Sequence, residues 1–381
     1  MDNRVSRVRR WDGSAEDRVP RLPLAARVQG GTPGHVHARW LGREQAADAI
    51  CLHPSMKKGI WTFMSNISIA DAPTTLQRWL MGERIGPLPG RQANEAPPKL
   101  SFEFFPPRTD ALEQQLWTCI RRLEPLAPRF VSVTYGAGGT TQARTHATVA
   151  RLARETSLVP AAHLTCVGAT RGEVNEVARA YWDAGVRHIV ALRGDAAPGT
   201  EYAPHPGGYA YASDLVYGLA KVAPFEISVA AYPETHPTAV SHNHDLDNLK
   251  RKLDAGATRA ITNFFFDSSV FLSFLDRCLQ AGITAPIVPG IMPVTNIAGL
   301  RKMSALSGVA IPSWLEHMFD GLDGDPEMRR MVATVVAAEQ VRLLQANGVD
   351  EFHFYTLNRP ELTYAIAHIL GVRPAASSIA T

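Results

Sequence analysis

From Leu100 onward, short apolar and β-branched runs alternate with stretches of helical period, and the alternation repeats eight times. The strand candidates are LSFEFF from Leu100, FVSVTYG from Phe130, AAHLTCV from Ala161 and HIVALRG from His188. EISVAAYP from Glu226, RAITNFFF from Arg259, APIVPGI from Ala285 and EFHFYTL from Glu351 complete the set. Strands joined through helices run parallel, because a parallel pair needs a long crossover. Eight such units in about 270 residues predict an α/β fold of the (β/α)8 TIM-barrel type. A doubly wound open sheet is the alternative. Its glycine fingerprint would follow the first strand, where this chain has Pro106 and Pro107.

The intervening helices carry their own signals. In DALEQQLWTCIRRLEP, Leu112, Leu116, Ile120 and Leu123 share a face and Pro125 ends the run. In SSVFLSFLDRCLQAG the stripe is Phe271, Phe274, Leu275 and Cys278, with Gly282 as the stop. A longer helix opens at Asp325-Pro326 and closes at Asn347-Gly348.

The first 95 residues or so, by contrast, are rich in Arg, Gly and Pro and lack any sustained period. They read as a low-order extension (1–95), with the barrel over 96–376. Met56 to Ala72 imitates a signal peptide, but it is internal and Ser65, Asn66 and Ser68 interrupt its apolar core. Met56 and Met64 are plausible alternative starts. A formal net charge of +3 gives no reason to expect nucleic acid, and no uncharged apolar run approaches the roughly 20 residues of a membrane helix. Four scattered cysteines without a CxxC pair suit a reducing cytoplasm and argue against disulfides or structural zinc.

In a parallel barrel the chemistry gathers at the C-terminal ends of the strands. That rule points to Glu103 on the first strand, Thr134 and Tyr135 on the second, and His163 with Thr165 on the third. It adds Arg193, Gly194 and Asp195 on the fourth, Tyr232, Glu234 and His236 on the fifth, Asn263 on the sixth, and Asn358 with Arg359 beyond the eighth. Glu103 stands among Phe102, Phe104 and Phe105. A carboxyl in apolar surroundings holds its proton to higher pH, so the expectation is a protonated acid ready to donate. The plain alternative is a strand carboxylate facing solvent. For Asp195 the alternative is a helix cap, and for the Arg251-Lys252 pair a solvated helix face. The HNH run at His242–His244 has no carboxylate or cysteine cluster around it, and no metal is expected.

SFEFFPPRT, VSVTYGA, HLTC, ALRGD, YASDLV, VAAYPETHP, NLKRKLDAGATRAIT, PGIMPVTN and FHFYTLNR together resemble the methylenetetrahydrofolate reductase family of the bacterial, single-domain type. The resemblance runs from about Leu100 to Pro374 through all eight units, and leaves the N-terminal extension uncovered. It implies a flavoenzyme with non-covalent FAD. NADH or NADPH and a folate would use the flavin in turn, reducing 5,10-methylenetetrahydrofolate to 5-methyltetrahydrofolate or running the reverse. Glu103 matches the family's general acid, and Asp195 the carboxylate that tunes flavin and folate. For FAD, which finds no GxGxxG or Walker loop here, the resemblance implies a distributed site. Its members are Thr134, Tyr135, Ala137, His163, Arg193, Gly194, Asp195, Ala212, Tyr232, His236, Ala239, Asp245, Asn248, Arg251 and Lys252. Asp195, Asn263, Gly299, Met303 and Arg359 fall on the substrate side. Three of these depart from the family pattern: Asn263 and Gly299 stand where glutamine is usual, and Met303 where an aromatic is usual. The resemblance further implies a cytoplasmic homotetramer with small-molecule substrates. Another flavin barrel, of the proline-dehydrogenase kind, and a non-catalytic folate- or flavin-binding barrel remain as alternatives.

Overall fold

The computed structural model describes residues 92–135, 142–196 and 199–374. The N-terminal extension up to residue 91 and Ala137 lie outside the described residues. All eight expected strands form: β1 Lys99–Phe104, β2 Val131–Val133, β3 Pro160–Thr165, β4 His188–Leu192, β5 Glu226–Ala231, β6 Arg259–Phe264, β7 Ile287–Ile291 and β8 Glu351–Tyr355. Each pairs in parallel with the next and β8 closes on β1, so the sheet is a closed barrel. The helices are α1 Asp110–Leu123, α2 Gln142–Glu155, α3 Arg171–Asp183, α4 Ala212–Val222 and α5 His242–Asp254. They continue with α6 Ser268–Gln280, α7 Ile297–Ser307, the short α8 Ser313–His317, α9 Pro326–Gln345 and α10 Pro360–Ile369.

Their ends follow local chemistry. Thr109 caps α1 through the amide of Leu112, and Thr170 forms a reciprocal capping box with Glu173 at α3. Asp325 caps α9, with Pro326 supplying the pre-set first turn. Gly282 stops α6 in a left-handed conformation. The α1 stripe differs from expectation in one place. Leu112 is exposed, while Trp117 and Cys119 join Leu116, Ile120 and Leu123 in the core.

Strand residues segregate by parity, since successive side chains point to opposite faces. Phe102, Phe104, Val131, Val133, Leu164, Ile189, Val229, Phe352 and Phe354 all pack in the main core between barrel and helices. Phe130, Ala161, Val190 and Ile261 form a separate small cluster. The opposite parity also carries buried polar groups: Ser101, Ser132, His163, His188, Ser228, Arg259, Glu351 and His353. The first residues of the strands hold a charged floor. Arg259 pairs with Glu226 and lies 3.3 Å from Glu351, which Arg129 reaches at 3.2 Å. Above it, His188 shares a 2.8 Å hydrogen bond with Ser228, and Phe130 packs against the rings of His188 and His353.

Candidate active site

Period two decides what Glu103 sees. Its chain neighbours Phe102 and Phe104 point away into the helix layer, so they do not surround the carboxyl. The carboxyl instead faces His163 from β3 and His353 from β8, with Oε2 at 3.4 Å and 3.7 Å from the two Nε2 atoms. Glu103 keeps a 12% exposed side chain, while His353 is sealed. Burial pushes the Glu103 carboxyl up. The two imidazoles, His163 more strongly than His353, outweigh that and bring it down to about 2. The expectation of a carboxyl held protonated by phenylalanines is therefore corrected: the strand puts those rings on its other face, and the true neighbours are two bases.

His353 is itself fixed. Its Nδ1 lies 2.8 Å from the Ser101 hydroxyl, which also donates to the Phe352 carbonyl at 3.3 Å. The ring of Tyr355 packs edge-on to His353, and its hydroxyl donates 2.7 Å to the Thr262 carbonyl on β6. This crossing requires a glycine at 290 on β7, because a Cβ there would fall 2.2 Å from that same carbonyl and 2.6 Å from the Tyr355 ring. Burial first, then Glu103 and Tyr232, push the Tyr355 hydroxyl well above the ordinary tyrosine value. Tyr355 thus sits between the acid and the second group of site residues.

That group gathers at the ends of β4 and β5. Gly194 adopts φ +85°, and a Cβ there would lie 2.4 Å from Val167, so the turn that delivers Arg193 and Asp195 tolerates only glycine. The carbonyl of Arg193 accepts from the Val167 amide at 3.0 Å and the Cys166 thiol at 3.4 Å. The guanidinium lies over the Tyr202 ring at 4.4 Å. Burial first, then Asp195 and Asp245, push Tyr232 up to about 12. Its ring meets His236 edge-on, and the His236 amide donates 2.9 Å to Asp245 on α5. Burial lowers the His236 imidazole, with Asp245 opposing and Arg193 and Lys252 reinforcing the effect. Lys252 turns inward and donates 2.5 Å to the Ala230 carbonyl, and burial carries its ammonium down to about 8 against the pull of Asp245. Arg251 diverges from it, staying exposed and hydrogen-bonded to Asn248. Helix neighbours lie about 100° apart around the axis, so adjacent cations in a KRK run need not share a target.

The other expected residues distribute around the same mouth. Thr134 follows β2, its amide donating to Phe104 and its carbonyl accepting from Thr145, and Tyr135 beside it is buried. Ala212 opens α4, and the amide of Ala239 donates to the His236 carbonyl. Asn263 lies on β6 where the register with β7 is irregular. Gly299 donates 3.0 Å to the Asn296 cap in the first turn of α7, and Met303 one turn later is 39% exposed. Arg359 bonds Thr295 at 2.8 Å, and both line a cavity of about 630 Å³ beside β7 and β8. His242 bonds Thr235 and the Glu234 carbonyl, so part of the HNH run serves a loop. Among the described residues no cluster of three or more His, Cys, Asp or Glu side chains could hold a metal, and no helix is long and apolar enough to cross a membrane. Sequence reasoning missed His353, Ser101 and Tyr355. The alternation in EFHFY, with Glu351, His353 and Tyr355 sharing one face, carries that signal.

The methylenetetrahydrofolate reductase family model matches residues 90–371, all eight barrel units. The chain belongs to that family. It is 51% identical over 300 residues to the 5,10-methylenetetrahydrofolate reductase of Pectobacterium carotovorum, covering 78% of this chain and 96% of that one. With the Salmonella typhimurium enzyme of the same name it shares 54% over 275 residues, 72% of this chain and 91% of that one. Among solved structures, an uncharacterised protein from Clostridium thermocellum that binds two copies of 5-methyl-5,6,7,8-tetrahydrofolic acid aligns with a TM-score of 0.50. It is 14% identical and covers 74% of this chain and 94% of that one, which speaks for the fold alone. Family membership makes this chain an oxidoreductase of tetrahydrofolate one-carbon metabolism.

Proposed function

We propose that this methylenetetrahydrofolate reductase is a flavoprotein that interconverts 5,10-methylenetetrahydrofolate and 5-methyltetrahydrofolate, exchanging electrons with NADH or NADPH in a ping-pong sequence on FAD. The observation that carries the reading is the Glu103 carboxyl at the barrel mouth with two imidazoles against it. The residues fit the cofactor. Arg193, Arg251 and Lys252 supply cations of the kind a diphosphate takes, and Asp245 and Asn248 supply groups for hydroxyls. Bound FAD would supply a carrier that accepts hydride from the nucleotide and delivers it to the folate.

Opening the five-membered ring of the folate requires a proton on the departing nitrogen, leaving an electrophilic iminium carbon. Glu103 is the donor. With its carboxyl at about 2 in the open site, it does not store that proton alone. The two imidazoles lie against its Oε2, so the Glu103–His163–His353 cluster holds the proton between them and Glu103 delivers it. A ring system covering the mouth strips the remaining water from Glu103, which favours the neutral acid. Asp195 offers its carboxylate to the iminium charge and to the amino-pyrimidine edge of the pterin. Arg359, on the cavity side, takes the carboxylates of the folate tail.

The assignment is tested by anaerobic titration of the purified protein. A yellow preparation should be bleached by NADH and by 5-methyltetrahydrofolate, and recoloured by 5,10-methylenetetrahydrofolate. A colourless protein that cannot be reconstituted with FAD would count against it. We also place the catalytic barrel at 96–376, cytoplasmic and homotetrameric. Sedimentation of the holoenzyme tests the assembly, and activity after removal of residues 1–89 tests the boundary.

A further inference from the structure

The chain leaves β8 through a backbone that L-residues avoid. Leu357 and Asn358 are consecutive and both left-handed, with φ of 51° and 54°. Asparagine tolerates this region, but leucine does not, so the surroundings must enforce the turn. Most of the enforcing contacts run to the end of β1, and Gln115 on α1 adds a bond to the Asn358 carbonyl at 3.5 Å. The Thr356 hydroxyl donates 2.6 Å to the Glu103 carbonyl, and the Thr356 amide donates to the same oxygen at 3.3 Å. The Asn358 amide returns to the Thr356 hydroxyl at 3.2 Å. The Asn358 side chain then engages both backbone groups of Phe105. Its Oδ1 accepts from the amide at 3.0 Å and its Nδ2 donates to the carbonyl at 3.0 Å.

The ladder between β1 and β8 ends at the Glu103–Tyr355 pair. Beyond it the Asn358 carboxamide, which has the donor and acceptor of a peptide group, takes the place of the missing strand. Pro106 and Pro107 offer no amide hydrogens to extend the pairing themselves. The same turn places Arg359, whose amide donates to the Thr356 carbonyl at 2.9 Å, at the cap of α10. One side chain therefore ties the strand that presents the acid to the turn that presents an arginine of the cavity.

We infer that Asn358 is a positioning residue for proton delivery. It acts through the Glu103–Phe105 backbone to hold the carboxyl against His163 and His353, and it touches no reacting atom. Strained backbone at a site is kept where the geometry it secures is used, and a clamp of this kind loses rate in the proton-dependent step while the remainder of the enzyme stands. The inference rests on reading Glu103 as the proton donor.

Two variants separate positioning from simple folding. Asn358→Gly frees the left-handed residue of strain and removes both bonds to Phe105, and Asn358→Asp keeps the acceptor and loses the donor. Stopped-flow half-reactions of the FAD-loaded proteins are measured with NADH and with 5,10-methylenetetrahydrofolate across pH, alongside melting temperatures. The folate half-reaction should fall about tenfold in Asn358→Gly and less in Asn358→Asp, with an altered pH profile. Flavin reduction by NADH should stay within about twofold and the melting temperature should not drop in proportion. A folate half-reaction at the wild-type rate in both variants overturns the role, as does an equal loss in both half-reactions that tracks a lower melting temperature. Glu103→Gln run alongside keeps the two readings apart. If it is inactive with folate while both Asn358 variants are as fast as wild type, only the positioning role falls. If it turns folate over normally, the donor assignment falls and this role with it.

Discussion

The two ends of the barrel both bury charge, and they dispose of it differently. At the floor, Arg259, Glu226, Glu351 and Arg129 neutralise one another, and His188 spends a nitrogen on Ser228. At the mouth, Glu103 faces two imidazoles without close hydrogen bonds, and Lys252 gives its ammonium to a backbone carbonyl. Among the described residues, arginines 193, 251 and 359 bond or stack on neutral groups: Tyr202 and the Gly194 carbonyl, Asn248, and Thr295. Charge consumed internally closes a structure. Charge left over at a mouth is available to a ligand. A polar barrel interior by itself therefore does not mark a site; the pairing of its charges does.

The largest expected effect lies at the floor. Arg259→Met strips Glu226 of its buried partner and leaves Glu351 only the half-exposed Arg129. Breaking a buried charge cluster costs roughly 3–5 kcal/mol, and the exposure of Glu226 places the loss at the low end of that range. Denaturant unfolding should show a loss of that size. FAD affinity of the folded fraction should be unchanged; if FAD affinity fell while stability held, the contrast between the two ends would collapse.

Next comes the cation that the mouth buries. With its ammonium at about 8 in the free protein, Lys252 is charged at pH 7 and becomes neutral as pH rises through that value. Binding a diphosphate favours the charged form, so FAD dissociation should increase above pH 8, and Lys252→Met should remove most of that dependence. Fluorimetric titration at pH 7 and pH 9 checks both statements. Glu103 gives the opposite limb. A carboxyl whose folded value of about 2 lies below its ordinary 4.5 contributes stability that is complete above 4.5 and is lost as pH falls toward 2. Glu103→Gln should flatten acid unfolding across that window.

The smallest effect concerns Asn263, Gly299 and Met303, which we propose to lie on the substrate side and to offer the nucleotide less contact than the larger or planar groups that the family resemblance implies there. Losing one aromatic stacking contact is worth roughly 0.5–1.5 kcal/mol, about tenfold in affinity or less. NADH should be held loosely, and Asn263→Gln with Met303→Phe should tighten it when flavin bleaching is followed at rising NADH. An affinity unmoved by the pair would remove these residues from the nucleotide site.

Much of this was legible in the sequence. Eight runs gave eight strands because a barrel strand writes its length and its turns locally, and the strand-end rule led to Glu103, His163, Arg193 and Tyr232. The environment of Glu103 was not legible. Its phenylalanine neighbours in sequence belong to the other face of β1, and its partners arrive from β3 and β8 through barrel closure. The split between Arg251 and Lys252 was hidden for a similar reason. Composition names a cationic run, but the helix phase decides which member turns inward.

The central claim is that Glu103, backed by His163 and His353, delivers a proton needed only by the folate step. Glu103→Gln keeps the shape and removes the proton. In stopped-flow half-reactions, flavin reduction by NADH should remain within a few-fold of wild type. Oxidation of the reduced enzyme by 5,10-methylenetetrahydrofolate should fall by at least about a hundredfold, the scale of a lost general acid. Equal losses in both half-reactions, or a folate step at the wild-type rate, would contradict the account.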